Sequence, residues 1–227
     1  MANGYTRCPF TYGLFLGTTA LFLYLGRRQK TKKTDLPTCD VVFVLGGPGA
    51  GKGTQCQLVQ ERLDGWVHLS AGDLLRAERN YGGKLCDLIN SKIAAGELVP
   101  SEITCKCLEN GMARAFEQSG VTKFLVDGFP RSHGNMTAWA GTLAKHNIKF
   151  VLSFDCPESV LEGRLLERGK SSGRSDDNID TIRKRFQTHK AESLPIIQYF
   201  ENNGTTVHTI ESDKGVEQVY EKVVALF

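Results

Sequence analysis

Residues 41 to 54 read VVFVLGGPGAGKGT, and they restrict the fold of this chain more than any other stretch. Val41 to Leu45 are five consecutive apolar residues, the pattern of a short strand buried on both faces. Residues 55 to 63 place Cys56, Val59 and Leu63 at helical spacing. Between them lies a glycine-rich turn in which Gly46 and Gly51-Lys52 keep the G-x-x-x-x-G-K spacing. Glycines let the backbone curl so that successive N–H groups face one anion, and the following helix adds the positive end of its dipole. Lys52 supplies a mobile full charge for the outer phosphates. The run departs from the general signature in one place: Gly53 follows Lys52, and the hydroxyl comes at Thr54. Strand, turn, lysine and helix together predict a cradle for a nucleoside triphosphate, with Gly49, Ala50, Gly51, Lys52, Gly53 and Thr54 around its phosphates.

Further strands are expected at Trp66–Leu69, Lys123–Val126, Phe150–Phe154 and Thr206–Ile210, each short and nearly continuously apolar. Helical patterns separate them, which predicts an α/β fold with a five-stranded parallel sheet flanked by helices. Ser70 and Asp73 resemble a capping box before LLRAER, and Pro157 suits the first turn of ESVLEGRLLER. Helices over Lys84–Ala95 and Ser101–Gln118 are expected to stop at Gly96 and Gly120. A chain of 227 residues has room for one such domain with small inserted lobes, and not for two large domains.

The net charge of +3 conceals two unlike parts. Residues 1 to 33 hold six basic residues and no acid, leaving −3 on residues 34 to 227. A body so near neutrality has no broad basic face for nucleic acid. Phe10 to Gly26 form seventeen residues without a charge, and RRQKTKK follows at once. That order is the reverse of a cleavable signal peptide and predicts a membrane anchor over residues 10–26 with the basic cluster on the cytosolic side. Residues 1–33 are therefore read as anchor and basic flank, 34–40 as a linker, and 41–227 as a cytosol-facing globular domain. The seven cysteines have no regular spacing, and Cys105-x-Cys107 lacks a second pair to complete a zinc site. They read as small core residues in a reducing compartment.

Two further motifs carry chemistry. FLVDGFPR, residues 124 to 131, is an apolar strand ending in Asp127, a carboxylate suited to hold Mg2+ through water beside a phosphate loop. Later, LERGKSSGRSDDN brings Arg168 and Arg174 to the two sides of a short Gly/Ser segment. It has the form of a flap closing over phosphates, with Asp176 and Asp177 placed to hold the arginines. Arg185 lies eight residues beyond Asp177, about two helical turns, and can share that face.

Together GGPGAGKGTQ, LSAGDLLRAE, DGFPR and RGKSSGRSDDN resemble the nucleoside monophosphate kinases, over a stretch running from about Val41 to the C-terminus. The lid sequence is more similar to their UMP-CMP kinase branch than to their adenylate kinase branch. The resemblance implies a P-loop NTPase fold with an acceptor-binding helical insertion at about 70–100 and a short lid at about 168–176, acting as a monomer with Mg2+. It implies ATP as donor, and UMP, CMP or dCMP as acceptor; AMP is the alternative. Arg76, Gly128, Arg131, Arg174 and Arg185 would grip the acceptor, with Glu97, Leu98 and Val99 lining the base pocket. Arg168 and Arg174 would close onto ATP and the phosphoryl in flight, and Lys214 would lie against the adenine. Lys52, Arg131, Arg168, Arg174 and Arg185 would be the catalytic cations.

In this family the base-reading side chain stands four residues after the DGFPR arginine. Here it is Asn135, which points to a pyrimidine. On spacing alone Asn135 also suits a cap for the next helix. An Asn amide offers acceptor and donors and can flip to match uracil or cytosine. The five residues between Arg168 and Arg174 leave no room for a zinc-binding insert. A GTPase-like switch would need an N-K-x-D motif, which the sequence lacks. A silent nucleotide-binding module would not need Lys52 and all five arginines.

Overall fold

The computed structural model describes residues 35–78, 83–174 and 176–227. The apolar segment 10–26 and its basic flank lie outside the described residues; among these, no helix is long and apolar enough to cross a membrane. The strands are β1 (Asp40–Gly46), β2 (Trp66–Ser70), β3 (Lys123–Asp127), β4 (Asn147–Asp155) and β5 (Val207–Glu211). They form one sheet in the order β2-β3-β1-β4-β5, and every neighbouring pair is parallel. The register sets Val44 of β1 and Ser70 of β2 level with Asp127 of β3. The phosphate-loop turn and the end of the DGFPR strand therefore leave the sheet side by side, where ligands bind in open α/β sheets.

Alternation along β1 divides the core into two layers. Val41, Phe43 and Leu45 join Phe124, Val126, Phe129 and Trp139 on one face. Val42 and Val44 join Leu125, Leu152, Phe154, Leu161 and Leu165 on the other. With both faces covered, the strands can be apolar throughout, which is why they were visible as unbroken runs.

The helices are α1 (Lys52–Arg62), α2 (Ala71–Glu78), α3 (Lys84–Ala95), α4 (Ser101–Ser119), α5 (His133–Thr142), α6 (Glu158–Gly169), α7 (Ile179–Thr188), α8 (Leu194–Asn202) and α9 (Val216–Val224). A π-helical turn, His189–Ser193, joins α7 to α8 without a break. Pro157 caps α6 from just outside rather than occupying its first turn. Only half of the expected capping box forms at α2. Ser70 Oγ accepts from the Asp73 N–H at 3.2 Å, but the Asp73 carboxylate turns forward to arginines.

The stretch expected as a linker is docked over its described part. Leu36 and Cys39 are buried in the first core layer. The Cys39 N–H donates to His146 Nδ1 at 3.1 Å, and Lys145 Nζ donates to the Leu36 carbonyl. The packed body thus begins by Leu36.

Candidate active site

The turn after β1 needs its glycines for space as well as rotation. Gly49 has φ +87°, and a Cβ there would stand 2.8 Å from the Leu161 carbonyl of α6. Gly51 begins α1, and its carbonyl accepts from the Gln55 N–H at 3.0 Å. Lys52 Nζ folds over the turn and donates to the carbonyls of Gly46 (2.9 Å) and Gly47 (2.8 Å). Burial pushes its ammonium down to about 8; Asp127 opposes this, and Arg131 and Arg185 add to it. A lysine so placed is short of negative charge, which terminal phosphates would supply.

Asp127 ends β3 and is buried. Burial alone would raise its carboxyl, but the His68 ring and the charges of Lys52 and Arg131 outweigh that and hold it below the ordinary carboxylate range. His68 Nε2 on β2 lies 3.4 Å from Asp127 Oδ2. The first turn of α1 also approaches: a Cβ on Gly53 would stand 3.5 Å from Asp127 Oδ2. Among the described residues, no three His, Cys, Asp or Glu side chains gather to hold a metal. A cation at Asp127 would depend on phosphate oxygens and water, a donor set that fits Mg2+.

Arg131 is pinned by its own loop. Its Nε donates to the Gly128 carbonyl at 2.6 Å, and Ser193 Oγ donates to its carbonyl at 3.3 Å. Glycine suits position 128 because φ is +72°, and a Cβ there would also displace Arg131 Nη2, 2.5 Å away. Burial lowers the Arg131 pKa, and Arg185 and Arg76 lower it further despite Asp127. Burial likewise depresses Arg174, with Arg76 and Arg168 adding to the effect. These cations are crowded around one cleft and destabilise one another.

The lid aspartates divide their work unequally. Asp177, with its side chain fully buried, accepts Arg168 in bidentate fashion at 2.7 Å and 2.7 Å, and Arg185 at 2.9 Å. The Asp176 carboxylate lies 2.9 Å from Arg185 Nη1 as an ion pair, and its backbone carbonyl accepts from the same nitrogen at 3.1 Å. Neither holds Arg174, contrary to the expectation from spacing. Arg174 Nη2 instead reaches Asp73 Oδ1 of α2 at 3.1 Å, while Arg76 Nη2 donates to the same oxygen at 2.6 Å. The loop after α6 and the start of α2 are thereby joined.

The insertion has its own small core of Leu75, Ile89 and Val99. The Val99 side chain faces that core, whereas Glu97 and Leu98 line a cavity of about 450 Å³ with Ser132, Gln187, Thr188, Ala191 and Glu192. Glu97 is exposed and bound to Lys92 Nζ at 2.6 Å. Asn135 is not the cap of α5. That role belongs to Ser132, whose Oγ accepts from the Asn135 N–H at 3.2 Å. Asn135 is buried, its Oδ1 accepting from the Arg131 N–H and its Nδ2 donating to Ser101 Oγ, both at 2.9 Å. Lys214 stands in the exposed loop after β5, 3.3 Å from Asp213. Arg164 Nη1 ties that loop to α6 through the Ser212 carbonyl at 2.8 Å.

Three residues of the site escaped the sequence reading. His68 sits in a strand read only for its apolar content; a polar side chain interrupting such a run was the available signal. His189 belongs to the π-helical turn, 3.7 Å from where a Gly47 Cβ would stand. Burial, with Lys52 and Arg131, lowers its pKa to about 4. Ser101 carries no motif at all.

The adenylate kinase family model matches residues 44–205, which include the phosphate turn, Asp127 and every arginine named above. The chain belongs to the adenylate kinase family. Within that family it is 49% identical over 190 residues to the UMP-CMP kinase of Gallus gallus, covering 82% of this chain and 96% of that protein. It is also 49% identical over 184 residues to the uridylate kinase of Saccharomyces cerevisiae, covering 81% of this chain and 88% of that one. The UMP-CMP kinase of Homo sapiens is 47% identical over 190 residues, with 82% and 96% covered. Membership of the family accounts for the five-stranded parallel sheet and the P-loop before α1.

Proposed function

We propose that the chain transfers the γ-phosphoryl of ATP to UMP and CMP, and to dCMP, giving ADP and the nucleoside diphosphate. The observation that carries this reading is the crowding of cations at one cleft: Arg131 and Arg185 bear on Lys52, Arg185 and Arg76 on Arg131, and Arg76 and Arg168 on Arg174. Relatives named UMP-CMP kinase and uridylate kinase, together with Asn135 behind the acceptor arginine, support a pyrimidine as acceptor.

The chemistry follows from placing two phosphates among those cations. A monophosphate oxygen attacks the γ-phosphorus in line, a new P–O bond forms, and the bond to the β-phosphate oxygen breaks as ADP leaves. The acceptor is ionised near neutral pH, its second pKa being about 6, so no general base is needed. Charge spreads over the equatorial oxygens, and Lys52, Arg131, Arg168, Arg174 and Arg185 stabilise it. Gly49 to Thr54 wrap the ATP phosphates, Lys214 borders the adenine, and Arg76 and Gly128 help seat the acceptor. Asp127 would hold Mg2+ through water, and the ion when bound neutralises β- and γ-oxygen charge. Lid closure excludes the water that would hydrolyse ATP.

Residues 10–26, uncharged and followed by a basic run, support a membrane tether with the kinase body on the cytosolic side. Fractionation of the full chain against residues 34–227 tests this: the full chain should pellet with membranes and the shorter one should not. The activity is tested by supplying Mg2+-ATP with UMP, CMP, dCMP or AMP and measuring diphosphate formed. Preference for the pyrimidines is expected; a clear preference for AMP would contradict the assignment.

A further inference from the structure

Asn135 is held in one orientation by groups that leave no choice. A backbone N–H can only donate, so the atom facing the Arg131 N–H at 2.9 Å is the amide oxygen. The amide nitrogen is then on the other side, donating to Ser101 Oγ at 2.9 Å. Turning the amide over would set two donors against each other in a buried place. The flip expected from sequence, by which one Asn would serve both uracil and cytosine, is therefore blocked. What Asn135 has left for a base is one acceptor position and one N–H, always in the same arrangement.

Uracil and cytosine present opposite polarity on the edge that distinguishes them. Uracil offers N3–H and O4; cytosine offers a bare N3 and an N4 amino group. A group that can reverse its own polarity is needed beside the fixed amide, and a hydroxyl does so by rotating about its C–O bond. Ser101 is such a group. It is the first residue of α4, three places after Leu98 of the cavity wall, and is only partly buried. Gly134 lets the starts of α4 and α5 approach, since a Cβ there would stand 3.1 Å from Ser101 Oγ. While Oγ accepts from Asn135, its hydrogen and second lone pair can serve a ligand.

We infer that Ser101 is the specificity-determining residue for the pyrimidine: Asn135 is the fixed reader, and the Ser101 hydroxyl is the rotor that admits both bases. The inference rests on the pyrimidine acceptor proposed above. The test is kcat/KM for UMP and for CMP, at saturating Mg2+-ATP, in the full chain and in Ser101→Ala and Ser101→Thr. Ser101→Ala should change the ratio of the two values at least ten-fold, through KM, because the fixed amide alone then selects one polarity. Ser101→Thr keeps the hydroxyl and should return the ratio to within three-fold of the unmodified chain. An equal loss on both substrates, or an unchanged ratio, overturns the inference, as does an unmodified chain that accepts only one of the two. If the unmodified chain phosphorylates neither, the proposed function itself has failed.

Discussion

Arg174 of the loop after α6 and Asp73 of α2 are 101 residues apart in sequence and 3.1 Å apart in space. The same Asp73 oxygen receives Arg76 of its own helix, so one carboxylate links an arginine of α2 to an arginine of the loop after α6. Partial desolvation in the cleft opposes ionisation of Asp73, yet Arg76 and Arg174 keep its carboxyl below the usual range. An incoming monophosphate would take both arginines from it.

Asp73→Asn should therefore weaken closure more than folding. Exposed ion pairs contribute about 0–1 kcal/mol, and the Asp73 side chain is 56% exposed, so the melting temperature should stay within about 4 °C. Acceptor kcat/KM should fall about ten-fold, the size of a ~1.4 kcal/mol loss. Steady-state kinetics beside a thermal melt separates the two effects.

Asp177→Asn should do the reverse in magnitude. Its side chain is fully buried and holds Arg168 and Arg185, so removal takes the carboxylate from Arg168 and leaves Arg185 with Asp176 alone. Breaking such a pair costs about 3 kcal/mol, or a fall of roughly 6–12 °C in a domain of this size. The Asp177 carboxyl is held low by Arg168 and Arg185 against its burial. Its stabilisation is therefore complete above the unfolded value near 4 and disappears as pH falls through the lower folded value. Acid titration of both forms, followed by circular dichroism, should show the difference between them vanishing at low pH.

The strands and the phosphate turn were legible because burial on both faces leaves only apolar residues, and because the turn admits few residues besides glycine. Asp127 was legible from its place at the end of such a strand. Partnerships were not. Spacing correctly put Arg185 near Asp177, but it gave Arg174 to the lid aspartates, since Asp73 approaches only through the fold. The alternative role of Asn135 as the cap of α5 stayed open in the sequence, because Ser132 and Asn135 both suit it chemically; the fold gives it to Ser132. The linker was read from its polarity, and two buried side chains, Leu36 and Cys39, were too few to form a periodic pattern.

That docking predicts a boundary. Residues 34–227 should fold and retain full activity, whereas 41–227 loses Leu36 and the Cys39 contact to His146. Burial of one leucine is worth about 1.5–3 kcal/mol, so the shorter chain should unfold at visibly lower urea concentration.

Lys52 predicts proton uptake. With its pKa lowered to about 8 in the free protein, Lys52 is deprotonated in part of the molecules at pH 8.5 and charged in nearly all at pH 6.5. ATP phosphates should restore the charge. Calorimetric titration with ATP in two buffers of different ionisation enthalpy should report uptake at pH 8.5 and almost none at pH 6.5; release or no uptake at pH 8.5 contradicts the desolvated lysine.

The most direct test is Lys52→Met, with turnover on Mg2+-ATP and CMP measured alongside stability at pH 7. Below its folded pKa the lysine carries a charge that the unfolded chain accommodates better, so its burial opposes folding there. If these cations are assembled at a cost that phosphate relieves, turnover falls at least 100-fold while the melting temperature holds or rises. Turnover within three-fold of the unmodified chain would contradict the account.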